Sequence, residues 1–247
     1  MSLAIGLAAS TLAGCGFLSE SFPTYRYRLT IEVDTPIGLR SGASVIEVRT
    51  SRTGKNFPAS PNQTSYRIKG EAVAVDLPGG QTLFGVLQPD SIGSLMIITQ
   101  DYLQSRQQGD ERAVSLSDKI ESFIRTKELL VVPRYFSENF NPPGYPRPSS
   151  YPDLVRFIDP TRPDSVLAVD PDNLTEAFGP SVRLRRITAQ VTDDPVTVDI
   201  VRRLPWLPEY ARREARLNGK TDIAIGTNEP SDRLGPGSFS AGLEIAR

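Results

Sequence analysis

Apolar and polar side chains alternate strictly along residues 25–34. Tyr25, Tyr27, Leu29, Ile31 and Val33 fall on one face, and Arg26, Arg28, Thr30, Glu32 and Asp34 on the other. A period of two is what a half-buried β-strand requires, because successive side chains leave opposite faces of the pleat. Residues 36–42 read as a turn and residues 44–49 as a second strand. Gly, Pro, Asn and Ser crowd residues 52–64, which read as a loop. Residues 65–77 read as a third strand, turning at Pro78-Gly79-Gly80 into residues 81–87 as a β-hairpin with a three-residue connection. A further apolar run at 94–99 predicts a fifth strand, so the first hundred residues predict an antiparallel meander of four or five strands.

The period then changes. Ser115 and Asp118 resemble a capping box, and Ile120, Phe123, Ile124 and Lys127 keep helical spacing. Leu129-Leu130-Val131-Val132 predicts a short buried strand stopped by Pro133. Five prolines lie between Pro142 and Pro152, marking an extended connector. Beyond it, 154–158 and 165–169 read as short strands, and Asn173-Leu174-Thr175-Glu176 as the capped start of a short helix ending at Gly179. Residues 182–192 and 196–201 are placed to pair around Asp193-Asp194-Pro195. Leu204-Pro205-Trp206-Leu207-Pro208 leads into a helix ending near Asn218-Gly219, and 222–225 and 239–245 read as final strands. The expected fold class is α+β and strand-rich, a mostly antiparallel sheet with two or three short helices. No internal repeat is visible. The expected organisation is a leader (1–14), a tether (15–24), an N-terminal β-rich lobe (25–141), the connector (142–152) and a C-terminal α+β lobe (153–247). The alternative is that 153–247 forms one continuous domain with 25–141.

Charge and composition narrow the chemistry. Lys and Arg number 28 against 29 Asp and Glu, a net charge of −1. Nucleic-acid binding draws most of its affinity from a basic excess, so nucleic acid is not an expected partner. The chain has no histidine and one cysteine. Those two facts remove His-dependent nucleophile systems, His-ligated zinc, thiolate metal clusters and intrachain disulfides. No motif implies a cofactor.

Residues 1–14 carry no charged side chain and are rich in Leu, Ala, Ile and Gly. An apolar run of this length suits the h-region of a secretory signal and is too short to span a bilayer, which takes roughly 20 residues. The run ends in Leu12-Ala13-Gly14-Cys15, which resembles the lipobox of bacterial lipoproteins. The resemblance covers residues 1–15 and implies cleavage between Gly14 and Cys15, acylation of Cys15, and attachment to a membrane of the cell envelope facing the periplasm. Gly16 follows in place of Asp, which by the same resemblance favours the outer membrane over the inner. Two acyl chains hold a protein stably where one is marginal. If the apolar start is instead no signal, the chain is cytoplasmic.

Several clusters invite a site. Asp170, Asp172, Asn173 and Glu176 could offer oxygens to a hard cation, although Leu174 and Thr175 break the EF-hand pattern, and helix capping by Asp172 or Asn173 is the plainer expectation. Glu32 and Asp34 share the polar face of the first strand, where solvated polarity explains them. Glu71 lies on the same predicted face as Val73, Val75 and Leu77, a setting that can raise a carboxyl pKa, although at a strand end a carboxyl reaching solvent is the plainer expectation. Tyr25-Arg26-Tyr27-Arg28 interleaves rings and cations, yet on a strand the two kinds point to opposite faces. Arg183, Arg185, Arg186, Arg202, Arg203, Arg212, Arg213 and Arg216 concentrate cations that could meet anionic lipid or lipopolysaccharide, diluted by Asp193, Asp194, Asp199, Glu209 and Glu214. The aromatic and proline-rich stretch 135–151 could dock a partner or cover a core edge.

The expectation for function is a membrane-anchored envelope lipoprotein that binds or braces a protein partner or envelope polymer without catalysis. The alternative is a carboxylate-dependent hydrolase of glycan or peptidoglycan, which would need two carboxyls about 5–9.5 Å apart across a cleft.

Overall fold

A computed structural model describes residues 20–54, 62–87, 116–135, 149–222 and 226–242. The chain builds two antiparallel sheets and a few short helices, an α+β, strand-rich fold. In chain order the elements are β1 (Glu20–Ser21), β2 (Tyr25–Thr35), β3 (Gly38–Arg52), β4 (Thr64–Glu71), β5 (Val73–Asp76), β6 (Thr82–Gly85), α1 (Leu116–Thr126) and β7 (Leu130–Val131). They continue as β8 (Leu154–Phe157), β9 (Val166–Val169), α2 (Leu174–Phe178), β10 (Arg183–Val191), α3 (Leu207–Arg212), α4 (Pro230–Arg233) and β11 (Ser240–Ala241).

The first sheet runs β11-β4-β3-β2-β10-β7, with β1 added to the end of β3; the second runs β5-β6-β8-β9. The alternation of 25–34 is realised in β2, whose Tyr25, Tyr27, Leu29, Ile31 and Val33 are all buried. They join Ile46 and Val48 of β3 and Ile187, Ala189 and Val191 of β10 in packing against Val73, Val75, Leu83, Leu154 and Val169 of the second sheet. The opposite face of the second sheet is also covered. Phe84, Val155, Phe157 and Val166 meet Ile200, Leu204, Trp206, Leu207, Leu217, Leu234 and Phe239 from the C-terminal region. The second sheet is thus a middle layer with apolar packing on both faces, and for that reason its strands read as short continuous apolar runs.

The predicted turn at 36–42 is much tighter in the structure. Thr35 and Gly38 are directly opposed, and β3 begins at Gly38, whose φ of +110° lets the chain reverse over Pro36 and Ile37. The stretch 38–43 looks like turn because it carries Gly38, Ser41 and Gly42, but it hydrogen-bonds to β2 throughout. The single strand expected over 65–77 is two strands in different sheets. The break falls at Ala72, after Gly70 at φ +155°, where the chain leaves the first sheet for the second. The meander therefore closes after β2, β3 and β4. The β5–β6 hairpin matches its prediction, with Leu77 N–H donating to the Gln81 carbonyl at 2.8 Å around Pro78-Gly79-Gly80.

Residues 182–192 and 196–201 do not pair with each other. β10 pairs instead with β2 and β7. After Val191, the Asp194 N–H donates to the Thr192 hydroxyl, and Pro195 has no N–H to offer a ladder. The chain then crosses to β3, where Thr197 N–H donates to the Val45 carbonyl and Val45 N–H donates to Thr197 Oγ1. That position is open because β4 pairs β3 only over Glu47–Arg52. The predicted buried run 129–132 is an edge strand in which Leu130 and Val132 are buried while Leu129 and Val131 face outward. The helix expected to reach 218–219 ends at Arg212. The run 94–99, Ser115 and residues 136–148, 223–225 and 243–247 lie outside the described residues. Both sheets mix strands from either side of the 142–152 connector.

Candidate functional site

The polar face of β2 continues across the first sheet as a surface of charge. Arg26 is opposed to Glu47, Glu47 to Lys69, and Arg49 to Arg67, so side chains of β2, β3 and β4 emerge together on the face turned away from the second sheet. Glu47 is the buried member. Its carboxylate accepts Arg26 Nε at 3.1 Å, Arg49 Nε at 3.0 Å and Arg49 Nη2 at 2.8 Å. Burial alone pushes that carboxyl upward, but the bonds from Arg49 and Arg26 outweigh it and hold the group below its ordinary range. An ionised carboxylate beneath two guanidinium groups fixes their position and leaves other N–H groups turned outward. Arg49 is about two-thirds exposed, at 68% of its side chain.

Arg67 and Lys69 are exposed and have no carboxylate partner among the described residues. Like charges directly opposed across strands destabilise a sheet, and here Arg49, held by Glu47, stands opposite Arg67, which meets no carboxylate among the described residues. Arg28 completes the cluster with an ion pair to Asp194, whose backbone carbonyl also accepts Arg26 Nη1 at 3.4 Å. Among the described residues, five cations (Arg26, Arg28, Arg49, Arg67 and Lys69) thus cluster around two carboxylates, Glu47 and Asp194. The arrangement can hold an anion by charge-assisted hydrogen bonds.

This cluster was not visible as a unit in the sequence, since its members come from three strands. The sequence signal it does carry is the placing of Arg26, Arg49, Arg67 and Lys69 at the polar positions of alternating runs. The arginine-dense stretch 183–216, by contrast, does not gather into one patch. Arg186 bonds Glu32 twice at 2.9 Å, and Arg185 reaches Asp34 at 3.2 Å; a bulge between Leu184 and Arg186 breaks the strict alternation there. Arg203 bonds Asp76 at 2.6 and 2.9 Å, Arg202 lies 3.6 Å from Asp199, and Arg213 lies 3.4 Å from Glu209. Arg216 donates to the Arg233 carbonyl at 2.8 Å. Arg183 stands opposite Asp34, and Arg212 is at the end of α3.

The acidic turn at 170–176 is occupied from within. Asp172 accepts Arg134 Nε at 3.1 Å and Nη2 at 2.9 Å, its N–H donates to Asp170, and Asn173 Nδ2 donates to Glu176 at 3.1 Å. Neither Asp172 nor Asn173 caps α2 through its side chain. Among the described residues no group of three or more acidic or cysteine side chains is placed to hold a metal ion. Arg134 is itself clasped between the Tyr135 and Tyr151 rings, 4.7 and 5.3 Å from their centroids, and donates to Ser149 Oγ. That accounts for both ends of the aromatic stretch 135–151. Tyr25 and Tyr27 are buried while Arg26 and Arg28 lie on the other face, so the four cannot form one stacking platform.

Glu71 is buried, although not on the strand face predicted for it, because the chain changes sheet at Ala72. It accepts the Ile200 N–H at 2.7 Å. Burial pushes its carboxyl upward and neighbouring Asp199 adds to this, against the opposing pull of the Ile200 N–H. Among the described residues, two cavities lie elsewhere. One of about 230 Å³ beside β9 is walled by Arg134, Ser149, Asp153, Pro171 and Arg233 among others. Another, of about 360 Å³, opens between the end of α3 and β11 and includes Glu214 and Arg216. Each brings a single carboxylate to its wall, Asp153 or Glu214, so neither forms the pair a glycoside hydrolase uses.

Gly14 and Cys15 lie outside the described residues. Among the described residues no helix is long and apolar enough to cross a membrane. Fold and surface together define an α+β protein of two antiparallel sheets with a cationic outer face. Comparison with protein-family models, with curated proteins and with solved structures returns no match.

Proposed function

We propose that this chain is an envelope lipoprotein, cleaved before Cys15 and held on a membrane by acyl chains on that residue. In this reading its two-sheet body is a non-catalytic binding or structural component. The observation that carries the proposal is Leu12-Ala13-Gly14-Cys15 at the end of an uncharged apolar run, with the only cysteine of the chain at the acceptor position. The thiol is the nucleophile that takes the lipid, and the small residues before it fit a narrow protease groove. A binding role is supported by the cations ordered around Glu47, which form a rigid surface with hydrogen-bonding capacity to spare.

Metabolic labelling with an alkyne fatty acid tests the anchor. Wild-type protein takes up the label and fractionates with membranes, and Cys15→Ala loses both. Equal labelling of the two would overturn the proposal.

A further inference from the structure

We infer that the outer face of β3 and β4 around Arg49, Arg67 and Lys69 lies against the anionic lipid headgroups of the leaflet that holds the acyl chains. The inference rests on the anchor reading and adds an orientation and a lipid class to it. Its first support is reach. Four residues lie between Cys15 and Glu20, and the five steps of chain from one to the other span at most about 18 Å when fully extended. Glu20 is pinned opposite Arg52 at the end of β3, and Phe22 N–H donates to the Thr50 carbonyl at 3.0 Å. An acylated Cys15 therefore keeps this end of the first sheet close to the bilayer. The β2–β3 turn at Pro36 and Ile37 lies at the far end of both strands.

The second support is charge. Arg49 stands three residues before Arg52 along β3, about 10 Å at the rise of a strand, and Arg67 and Lys69 are its neighbours across β4. Glu20 and Arg52 oppose one another and add no net charge at this corner. What remains among the described residues is Arg26, Arg49, Arg67 and Lys69 over the buried carboxylate of Glu47, with Glu71 at the end of β4 buried and turned to the Ile200 N–H. A negatively charged leaflet attracts such a cluster within roughly a Debye length of its surface, about 8 Å at physiological salt. It would also relieve the opposition of Arg49 and Arg67, of which only Arg49 meets a carboxylate, Glu47, among the described residues. At the other end of the same face, Glu32 and Asp34 meet Arg185 and Arg186 and give mixed charge.

The test uses the acylated full chain on vesicles of phosphatidylcholine alone or mixed with phosphatidylglycerol. A fluorophore is attached through Ser65→Cys, exposed on β4 beside Arg67, or through Ser41→Cys, exposed on β3 opposite Glu32. A headgroup-bound quencher reports proximity. Quenching at position 65 is expected to exceed that at 41, to rise about fivefold or more when phosphatidylglycerol is included, and to fall back near ~1 M salt. Arg49→Glu/Arg67→Glu/Lys69→Glu should abolish the rise while the protein still floats with the vesicles. Arg67→Gln/Lys69→Gln, which adds no repulsion, should reduce it.

Equal quenching in neutral and anionic vesicles, or a rise that survives the triple variant, overturns the inference and leaves the anchor standing. A phosphatidylglycerol effect that is absent although an acidic protein competes for the same cations would also overturn it, assigning the face to that partner. Failure of the wild-type chain to carry acyl groups or to float overturns the anchor reading, and the inference with it.

Discussion

Gly42 shows how one residue can set the distance between layers. A Cβ built on it would lie 2.0 Å from the carbonyl oxygen of Ala74 and 2.7 Å from its carbon, so β5 rests directly on the backbone of β3 at this point. Backbone cannot move aside as the tip of a side chain can. Gly42→Ala should lower stability by about 1–3 kcal/mol or more, read as a lower midpoint in urea unfolding; an unchanged midpoint would show that the sheets do not approach this closely. Glu71 makes a different prediction, in which pH is the variable. Its carboxyl is raised in the folded chain, so its favourable contribution is complete below the ordinary carboxylate range and is lost as pH rises through the folded value. Glutamine keeps an oxygen for the Ile200 N–H and cannot ionise. Glu71→Gln should match wild type near about pH 4 and exceed it at about pH 7. A variant that loses more stability at neutral than at acid pH would contradict the assignment. The sequence offers a raised carboxyl at Glu71, from an apolar strand face it does not occupy, and nothing of the role of Gly42. Gly42 reads as a turn residue, and the partner of Glu71 is 129 positions away.

Among the elements, those whose side chains alternate over a long run were the readable ones. β2 follows from its own pattern, as do the β5–β6 hairpin from Pro78-Gly79-Gly80 and α2 from its stop at Gly179, where φ is +95°. The partners of each strand were not readable, because pairing is decided by which distant segment has hydrogen-bonding edges left. β10 finds β2 across some 150 positions, and Thr197 takes the edge of β3 that β4 leaves vacant. The C-terminal region, too, carries no long periodic signal. Its order comes from a cluster of rings on the outer face of the middle sheet. Phe239, fully buried, packs near-perpendicular to Phe84 and Trp206, at 6.1 and 5.9 Å, and lies 5.6 Å from Phe157. Phe239→Ala removes one side of each of these contacts and should cost about 3–5 kcal/mol. Exchange of the Ala72 amide, which donates to the Phe239 carbonyl, should quicken with it. If stability barely changed, the rings would be a loose cover over a sheet that is stable without them.

At the scale of the molecule, the body is a β-layer, a second β-layer and a C-terminal covering, with charge sorted along the outer face of the first. The cationic end of that face is the end from which the chain leads back to Cys15. The lipobox resemblance was legible in residues 12–15 alone, because a processing signal is read as a short linear segment and needs no fold. The cationic cluster was not, because its charges are placed by strand register. Everything proposed about what the protein does depends on the fate of one thiol. Intact-mass and peptide spectrometry of protein taken from native membranes examines it most directly. The account predicts an amino-terminal peptide that begins at Cys15 and carries the mass of added acyl chains, with residues 1–14 gone. Recovery of an unmodified peptide running from the leader through Cys15 would contradict it.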